Sequence, residues 1–541
     1  MSFYPHTRQL GSQPGVQLNP VRDNTDGFAG DASDQVAATI GRFKRGRIDA
    51  PFKVNRGNRL SMLGSPESIR ISALNEAYVQ VAEALDAGAA EVVLARLITD
   101  GAVNSYAVFN ITGSTSSFQA SAAAPTASYL LALQHLGCFN DGILIEVQAD
   151  KALAADGVTA VPAKVVTLRL REPNGNLLYE FTGSLDPAAV DDFGKDYFIG
   201  SIIAAQTDEV VVTVSAGASI PVAADCYGRN TDGTAKVAKT ATPLVLFTEG
   251  GTGYTAAHYD KAISLLENGT NDFGYLFSGG SQAVALLTKM GQLAARANRH
   301  FAFDVPGSLT PAAAIAFINQ LGFDTHHCQA YWAPLQSDDP VNGGKAIIGT
   351  SGYNVGLRCA RNAQTNAYGL APKNAPVAGK DWPLARASVK QLSSPDAPAL
   401  SDLAQAKINP VIYERYNGGG RYVFTDSLTC ARVATSYRKL ISVAEMSATL
   451  DDMVAKYGKE VVQLPMEAAI SKLSKFVKKT FDAAKSSGWL VASDDPALGE
   501  KGYAFSVKRN DVRPADRMDI TYSLHYDGVV RAIHITQTIS R

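Results

Sequence analysis

Residues 282–307 read QAVALLTKMGQLAARANRHFAFDVPG, a helical run over 282–299 followed by the strand FAFDVPG. Upstream, LVLFTEGG (244–251) reads as a strand, YDKAISLLE (259–267) as a helix and YLFSGG (275–280) as a strand. Downstream, AAAIAFINQLG (312–322) continues as a helix and HHCQAYWAP (326–334) as a strand. Strands that alternate with helices imply a parallel sheet covered by helices on both faces. A loop-rich stretch is expected next, from about Gly344 to Ala406.

The same layer begins earlier in the chain. QVAATIGRFKRG (35–46) holds a strand over Val36–Phe43. After MLGSP, the residues Ile71, Leu74, Tyr78, Val81 and Leu85 recur at helical steps. That spacing predicts a helix of about twenty residues, closed by Gly88. EVVLARLIT (91–99) is a near-continuous apolar strand of the kind buried on both faces. From about Ser105 to Leu244 the style changes to strands divided by Gly, Asn, Asp and Ser turns: YAVFNITGS, GILIEVQAD, VVTLRLREPNGNLLYEF and EVVVTVSAG. PNGN (173–176) is a hairpin signal. SYLLALQHLG (128–137) is the helical exception expected there. The stretch predicts a β-sandwich or β-barrel inserted into the α/β layer.

A last unit opens near Ser436 with two helices, YRKLISVAEMSATLDDMVAK (437–456) and PMEAAISKLSKFVKKTFDAAKSSG (465–488). Pro465 stands early in the second and Gly488 just past its end. Met466, Ile470, Leu473, Val477, Phe481 and Ala484 form its apolar stripe, and Lys472, Lys475, Lys478, Lys479 and Lys485 decorate the remainder. Such a charge run is ordinarily a solvated face; its concentration also suits an acidic partner. Two strands follow, carrying Tyr503, Phe505 and Val507, then Ile520, Tyr522 and Leu524 in period-two alternation. Asp527-Gly528 is a hairpin turn signal, after which Ile533, Ile535 and Ile539 alternate with polar residues. Residues 1–30 are rich in Gly, Pro, Asn and Asp, and only Val16, Leu18 and Val21, around Pro20, suit a short strand-like arm.

At 541 residues, a prior of roughly 150 residues per domain suggests about three or four domains. An apolar fraction of 46% and a charged fraction of 19% are those of a folded chain. The formal net charge of −1 lacks the basic field of a nucleic-acid binder. No apolar run approaches the roughly 18 residues of a membrane-crossing helix. The opening MSFYPHTRQLGSQPGVQ lacks the layout of a signal peptide. Five scattered cysteines (Cys138, Cys226, Cys328, Cys359, Cys430) suit a reducing compartment, where they act as small core hydrophobes.

No catalytic constellation stands out. GGTG (250–253) follows a strand but lacks the GK[ST] of a phosphate loop and reads as a tight turn. FSGGSQ and GTSGYN place serines near glycines without the GxSxG elbow that exposes a nucleophile. Asp324, His326, His327 and Cys328 are the densest group of ligand-type residues. Adjacent histidines on a strand point to opposite faces and do not share an ion easily, so neither a metal nor a cofactor is expected. A Ser-His-Asp set assembled from distant segments stays open, and with it an α/β hydrolase or a nucleotide-utilising enzyme.

Taken in order, several stretches resemble the contractile tail sheath family of bacteriophages and related injection machines. They are Pro14-Gly15-Val16, IGRFKRG, MLGSP, VVLAR, REPNGNLLYEFTGSLD with YFIGSIIAAQTDEVVVTV, and FTEGGTGYTAAHYDKAISLLE. FDVPG, AYWAPLQSDDP, GLAPKNAP, KINPVIYERYNGGGRYVFTDSLT and SYRKLI complete the series, which spans nearly the whole chain. The usual Trp-Gly is missing from YVFTDSLT, and the region from Thr112 to Gly142 matches poorly.

The resemblance implies a subtilisin-like but non-catalytic α/β domain over 31–104 and 245–435, interrupted by a β-sandwich over 105–244. It further implies an N-terminal arm (1–30), an α+β domain touching the tube (436–528) and a C-terminal arm (529–541). Arm residues Val16, Leu18, Val21, Ile533, Ile535 and Ile539 would add strands to a neighbour's sheet. The acceptor would be built from Tyr503, Phe505, Val507, Ile520, Tyr522 and Leu524, although residues 518–541 read alone favour an intramolecular hairpin around Asp527-Gly528. Lys472, Lys475, Lys478 and Lys479 would face the tube. The implied partners are further copies of the chain, a tail tube protein, and baseplate and tail terminator proteins, with no nucleic acid and no membrane insertion. The implied setting is a virion tail assembled in the host cytoplasm, or an R-type bacteriocin or another injection particle.

Overall fold

The computed structural model describes residues 32–538, so the arm positions Val16, Leu18, Val21 and Ile539 lie outside it. The α/β layer opens with β1 (Val36–Gly41), β2 (Phe52–Val54), α1 (Glu76–Ala87) and β3 (Glu91–Arg96). Helix α1 is shorter than its periodicity predicts. Ser72 Oγ accepts the Leu74 N–H and sets a 3-10 turn over Ala73–Asn75. Ile71, the first expected anchor, is 72% exposed and never reaches the core.

The insertion contains β4 (Tyr106–Thr112), β5 (Thr115–Ser121), β6 (Leu131–His135), β7 (Leu144–Ala149), β8 (Val165–Arg171) and β9 (Leu177–Ser184). Helix α2 (Ile199–Gln206), β10 (Val210–Val214) and β11 (Val237–Lys239) complete it. Two four-stranded antiparallel sheets, ordered β9-β8-β7-β11 and β10-β6-β4-β5, close over one apolar core that includes Phe109, Leu131, Ile145, Leu168 and Phe181. SYLLALQHLG, expected as a helix, supplies β6 instead. A short apolar run does not distinguish helix from buried strand by periodicity, and pairing with β4 and β10 makes it a strand.

The layer resumes with α3 (Ala256–Asn268), β12 (Tyr275–Phe277), α4 (Val284–Arg296), β13 (His300–Val305), α5 (Pro311–Leu321) and β14 (Cys328–Trp332). It ends with α6 (Ser351–Asn362), α7 (Ala397–Gln405), β15 (Ile408–Tyr416) and β16 (Gly419–Phe424). The eight-stranded order is β2-β3-β1-β12-β13-β14-β15-β16. It is parallel from β3 to β15, with β2 and β16 antiparallel at the edges. Helices α3, α4, α5 and α7 bury Ile263, Leu287, Ile318 and Leu403 against one face. Helices α1 and α6 bury Val81 and Val355 against the other. LVLFTEGG does not join this sheet; Phe247–Thr248 pairs with Val103–Asn104, and Leu244 bridges Ile143.

Helices α6 and α7 occupy the stretch expected to be loop. Gly352 and Gly356, which read as breakers, are packing devices. A Cβ at Gly352 would lie 2.7 Å from Gln80 O, and one at Gly356 2.4 Å from Ala84 O. Their absence lets α6 lie against α1.

The chain ends on α8 (Ile441–Val461), α9 (Met466–Ser486), β17 (Tyr503–Arg509) and β18 (Met518–Leu524), besides shorter elements along its length. The chain divides into two compact units. Among the described residues, one comprises 35–360, 375–452 and 528–538, the other 32–34, 361–374 and 453–527. In the smaller unit, Phe481 of α9 meets Tyr503 and Tyr522 edge to face, at 5.5 and 5.3 Å between ring centroids. Trp489 is buried beside them in sequence and donates its Nε1–H to Ala371 O at 3.0 Å.

The expected hairpin at Asp527-Gly528 does not form. A tight two-residue turn of that kind needs left-handed backbone at both central positions, and neither residue adopts it. Instead Tyr526 pairs with Leu490, and the Asp527 N–H donates to Trp489 O at 3.0 Å.

Candidate functional site

Strands β17 and β18 pair antiparallel, bringing Tyr503 opposite Leu524, Phe505 opposite Tyr522 and Val507 opposite Ile520. All six residues predicted for an acceptor sheet therefore share one face, the face that packs on Phe481. Two-stranded sheets are marginal in water unless a helix covers them, and α9 supplies that cover. Among the described residues the sheet takes no third strand.

Residues 527–538 form no helix and no strand. Val530 is 77% exposed, Ile533 77% and Ile535 88%. The base of this segment is anchored by Arg531, which grips Asp426 through bonds of 2.9 and 2.5 Å. Apolar side chains gathered in solvent on one short segment mark a surface suited to a partner.

Lys472, Lys475, Lys478 and Lys479 are all exposed on α9, opposite its buried stripe of Leu473, Val477, Phe481 and Ala484. Lys478 pairs with Asp482 at 2.5 Å. The apolar stripe and the basic face are thus arranged as the periodicity of 465–488 predicts.

At the carboxyl ends of the strands, where an α/β sheet ordinarily binds ligands, the chain's own charged groups pair with one another or with its backbone N–H groups. Strand order reverses between β1 and β12, which makes their carboxyl ends the topological switch point. There Glu249 binds Arg42 at 2.6 Å and the fully buried Arg96 at 3.1 Å. One strand further on, Asp304 accepts the N–H groups of Thr350 and Ser351 at 2.6 and 2.9 Å. It therefore occupies the helix N-terminus that would otherwise receive an anion. Ser351 Oγ bonds to Asp304 at 2.6 Å and Gln80 at 2.9 Å, with no imidazole in the cluster among the described residues. Gln80 and Glu76, which complete this cluster, went unnoticed in the sequence, because their partners lie far along the chain.

GGTG makes a tight turn: a Cβ on Gly250 would lie 2.3 Å from the carbonyl carbon of Gly101. The N-terminus of α3 beyond it is closed by a reciprocal cap between Thr255 and His258. His326 and His327 precede β14 in a turn, so strand alternation does not apply to them, and their rings lie 4.1 Å apart. His326 Nδ1 contacts Arg438 at 3.0 Å and His327 Nδ1 contacts Arg299 O at 3.0 Å. Burial, with His327 and Arg438 adding to it, pushes the His326 imidazole down to about 4.

No family model and no curated protein matches the sequence. Among solved structures, the chain is similar to the PVC sheath complex of an extracellular contractile injection system in its contracted state. Identity is 14%, covering 52% of this chain and 74% of that one at a TM-score of 0.36. It is also similar to a chain of the anti-feeding prophage (AFP) baseplate in its contracted state. Identity there is 13%, covering 54% of this chain and 79% of that one at a TM-score of 0.38.

Proposed function

We propose that this chain is a non-enzymatic sheath subunit of a contractile particle, polymerising around an inner tube. The observation that carries the reading is a mismatch within one subunit. Residues 530–538 expose Val530, Ile533 and Ile535 outside any strand, while among the described residues β17 and β18 pair only with each other. Donor and acceptor then meet between copies, by strand addition. The ordered series of sheath-like motifs supports the same reading. Genome delivery by a phage tail, and killing or injection by a related particle, are both compatible with it.

In this reading the α/β layer is the subtilisin-like scaffold without a protease site, and the insertion faces outward. The lysine face of α9 meets the tube, and baseplate and terminator proteins bound the polymer in the virion. Contraction draws on subunit repacking with the arms as retained hinges. The complete burial of Ser351 favours this reading over a hydrolase, because a serine nucleophile must be open to its substrate.

Negative-stain microscopy of the concentrated protein tests the proposal. Tubes or rings are expected from the full chain, and only dispersed, folded subunits after deletion of residues 529–541. Normal cylinders from the truncated chain would overturn it.

A further inference from the structure

Beside the carboxyl ends of β12 and β13, two buried carboxyl groups share one donor. Gln80 Nε2 donates to Glu76 Oε1 at 2.8 Å and to Asp304 Oδ2 at 2.9 Å. Asp304 also receives Ser278 Oγ–H at 3.0 Å and Ser351 Oγ–H, besides the two N–H groups at the start of α6. That donor set suits an anion. Glu76 receives one further bond, from the Gly349 N–H at 2.7 Å.

The charged groups facing Glu76 do not balance it. Asp304 approaches from β13. Arg386 approaches from the segment before α7, but its guanidinium is already held by Glu83 of α1 through two bonds of 2.7 Å. Its other bonds go to the carbonyls of Ile348 and Gly349. From the loop after β12 come only Gly279, Gly280 and Ser281, with Gly280 so close that a Cβ would lie 2.4 Å from Glu76 Cβ. Three carboxyl groups thus share one guanidinium and the partial positive charge of a helix N-terminus. Two buried carboxylates sharing one donor do not readily both ionise.

We propose that Glu76, buried beside Asp304 and sharing the Gln80 amide with it, keeps a proton in the folded protein at mildly acidic pH, where a free carboxyl is ionised. Burial, and then the charge of Asp304, raises the Glu76 carboxyl to about 7 from an ordinary 4.5. Folding therefore takes up a proton between those values. The stability linked to it is complete below 4.5 and is lost as pH rises to about 7. A cavity of about 80 Å³ bordered by Glu76, Ser281, Asp304 and Gly349 is large enough to hold water beside the pair.

Two measurements test this. In urea unfolding from about pH 5 to about pH 8, the ratio of wild-type to E76Q folding constants should fall about tenfold per unit, levelling near 7. In infrared titration of the wild-type protein, a protonated-carboxyl band should persist at about pH 6 and bleach by about pH 8. In D304N the bleaching should move to lower pH. A pH-independent ratio, or no protonated-carboxyl band in the wild type, would overturn the proposal. Should E76Q fail to fold, the wild-type titration decides alone.

Discussion

His135 sits in the core of the insertion, 2% exposed, with neither ring nitrogen hydrogen-bonded. It packs edge-on to Phe139 at 4.7 Å between ring centroids, as an aromatic hydrocarbon would. Burial, and secondarily the charge of Arg45, pushes its imidazolium down to about 4 from an ordinary 6.5. The folded state thus prefers the neutral ring. The linked stability is present above 6.5 and is lost as pH falls through about 4. A shift of that size is worth on the order of 3 kcal/mol. H135F keeps the ring and removes the titration, so it should lose much less stability between about pH 6.5 and about pH 4 than the wild type does. Urea midpoints for the two proteins at both pH values measure this, and parallel acid losses would assign the acid sensitivity elsewhere.

At the scale of elements, the exposed terminal segment and the two-stranded sheet are each poor structures alone. Burying three aliphatic side chains contributes about 2 kcal/mol apiece, and some four hydrogen bonds about 1 kcal/mol each. Ordering about eight residues costs roughly 1–1.5 kcal/mol per residue. The terms nearly cancel, so a single joint is marginal and a lattice of them is cooperative. Ile533 and Ile535 lie on the same side of an extended chain, hence I533D/I535D should abolish assembly while leaving the thermal melt of the free subunit within about 0.5 kcal/mol of wild type. Light scattering against concentration reads the first and calorimetry the second; unchanged assembly would mean the segment is not the donor. These strands were legible because alternation is a two-residue pattern written locally, as Phe505 opposite Tyr522 illustrates. The Asp527-Gly528 turn misled because its residues permit a left-handed turn without compelling one. Helix α6 was hidden because Gly352 and Gly356 serve contacts with Gln80 and Ala84, which lie hundreds of positions away. The Glu76–Asp304 cluster was illegible for the same reason.

Across the whole molecule, 50 basic and 51 acidic side chains nearly cancel, so a local excess is what a partner would meet. Helix α9 presents one, with Lys472, Lys475, Lys478 and Lys479 exposed along its outer face. The Lys478–Asp482 pair is more than half solvent-exposed on the lysine side and moderates that charge only weakly. Charged, hydrated contacts suit a sheath that must release its tube, because they break without leaving an apolar cavity. K472E/K475E reverses two charges without touching the buried stripe of Leu473, Val477 and Phe481. The variant should melt as the wild type does and still form cylinders, yet co-assemble poorly on an acidic tube. Salt should reproduce the defect in the wild type, since the screening length falls from about 10 Å at 0.1 M to about 3 Å at 1 M. Co-sedimentation with the tube over that range measures both effects. Binding that ignores both salt and charge reversal would place the tube contact on a different surface.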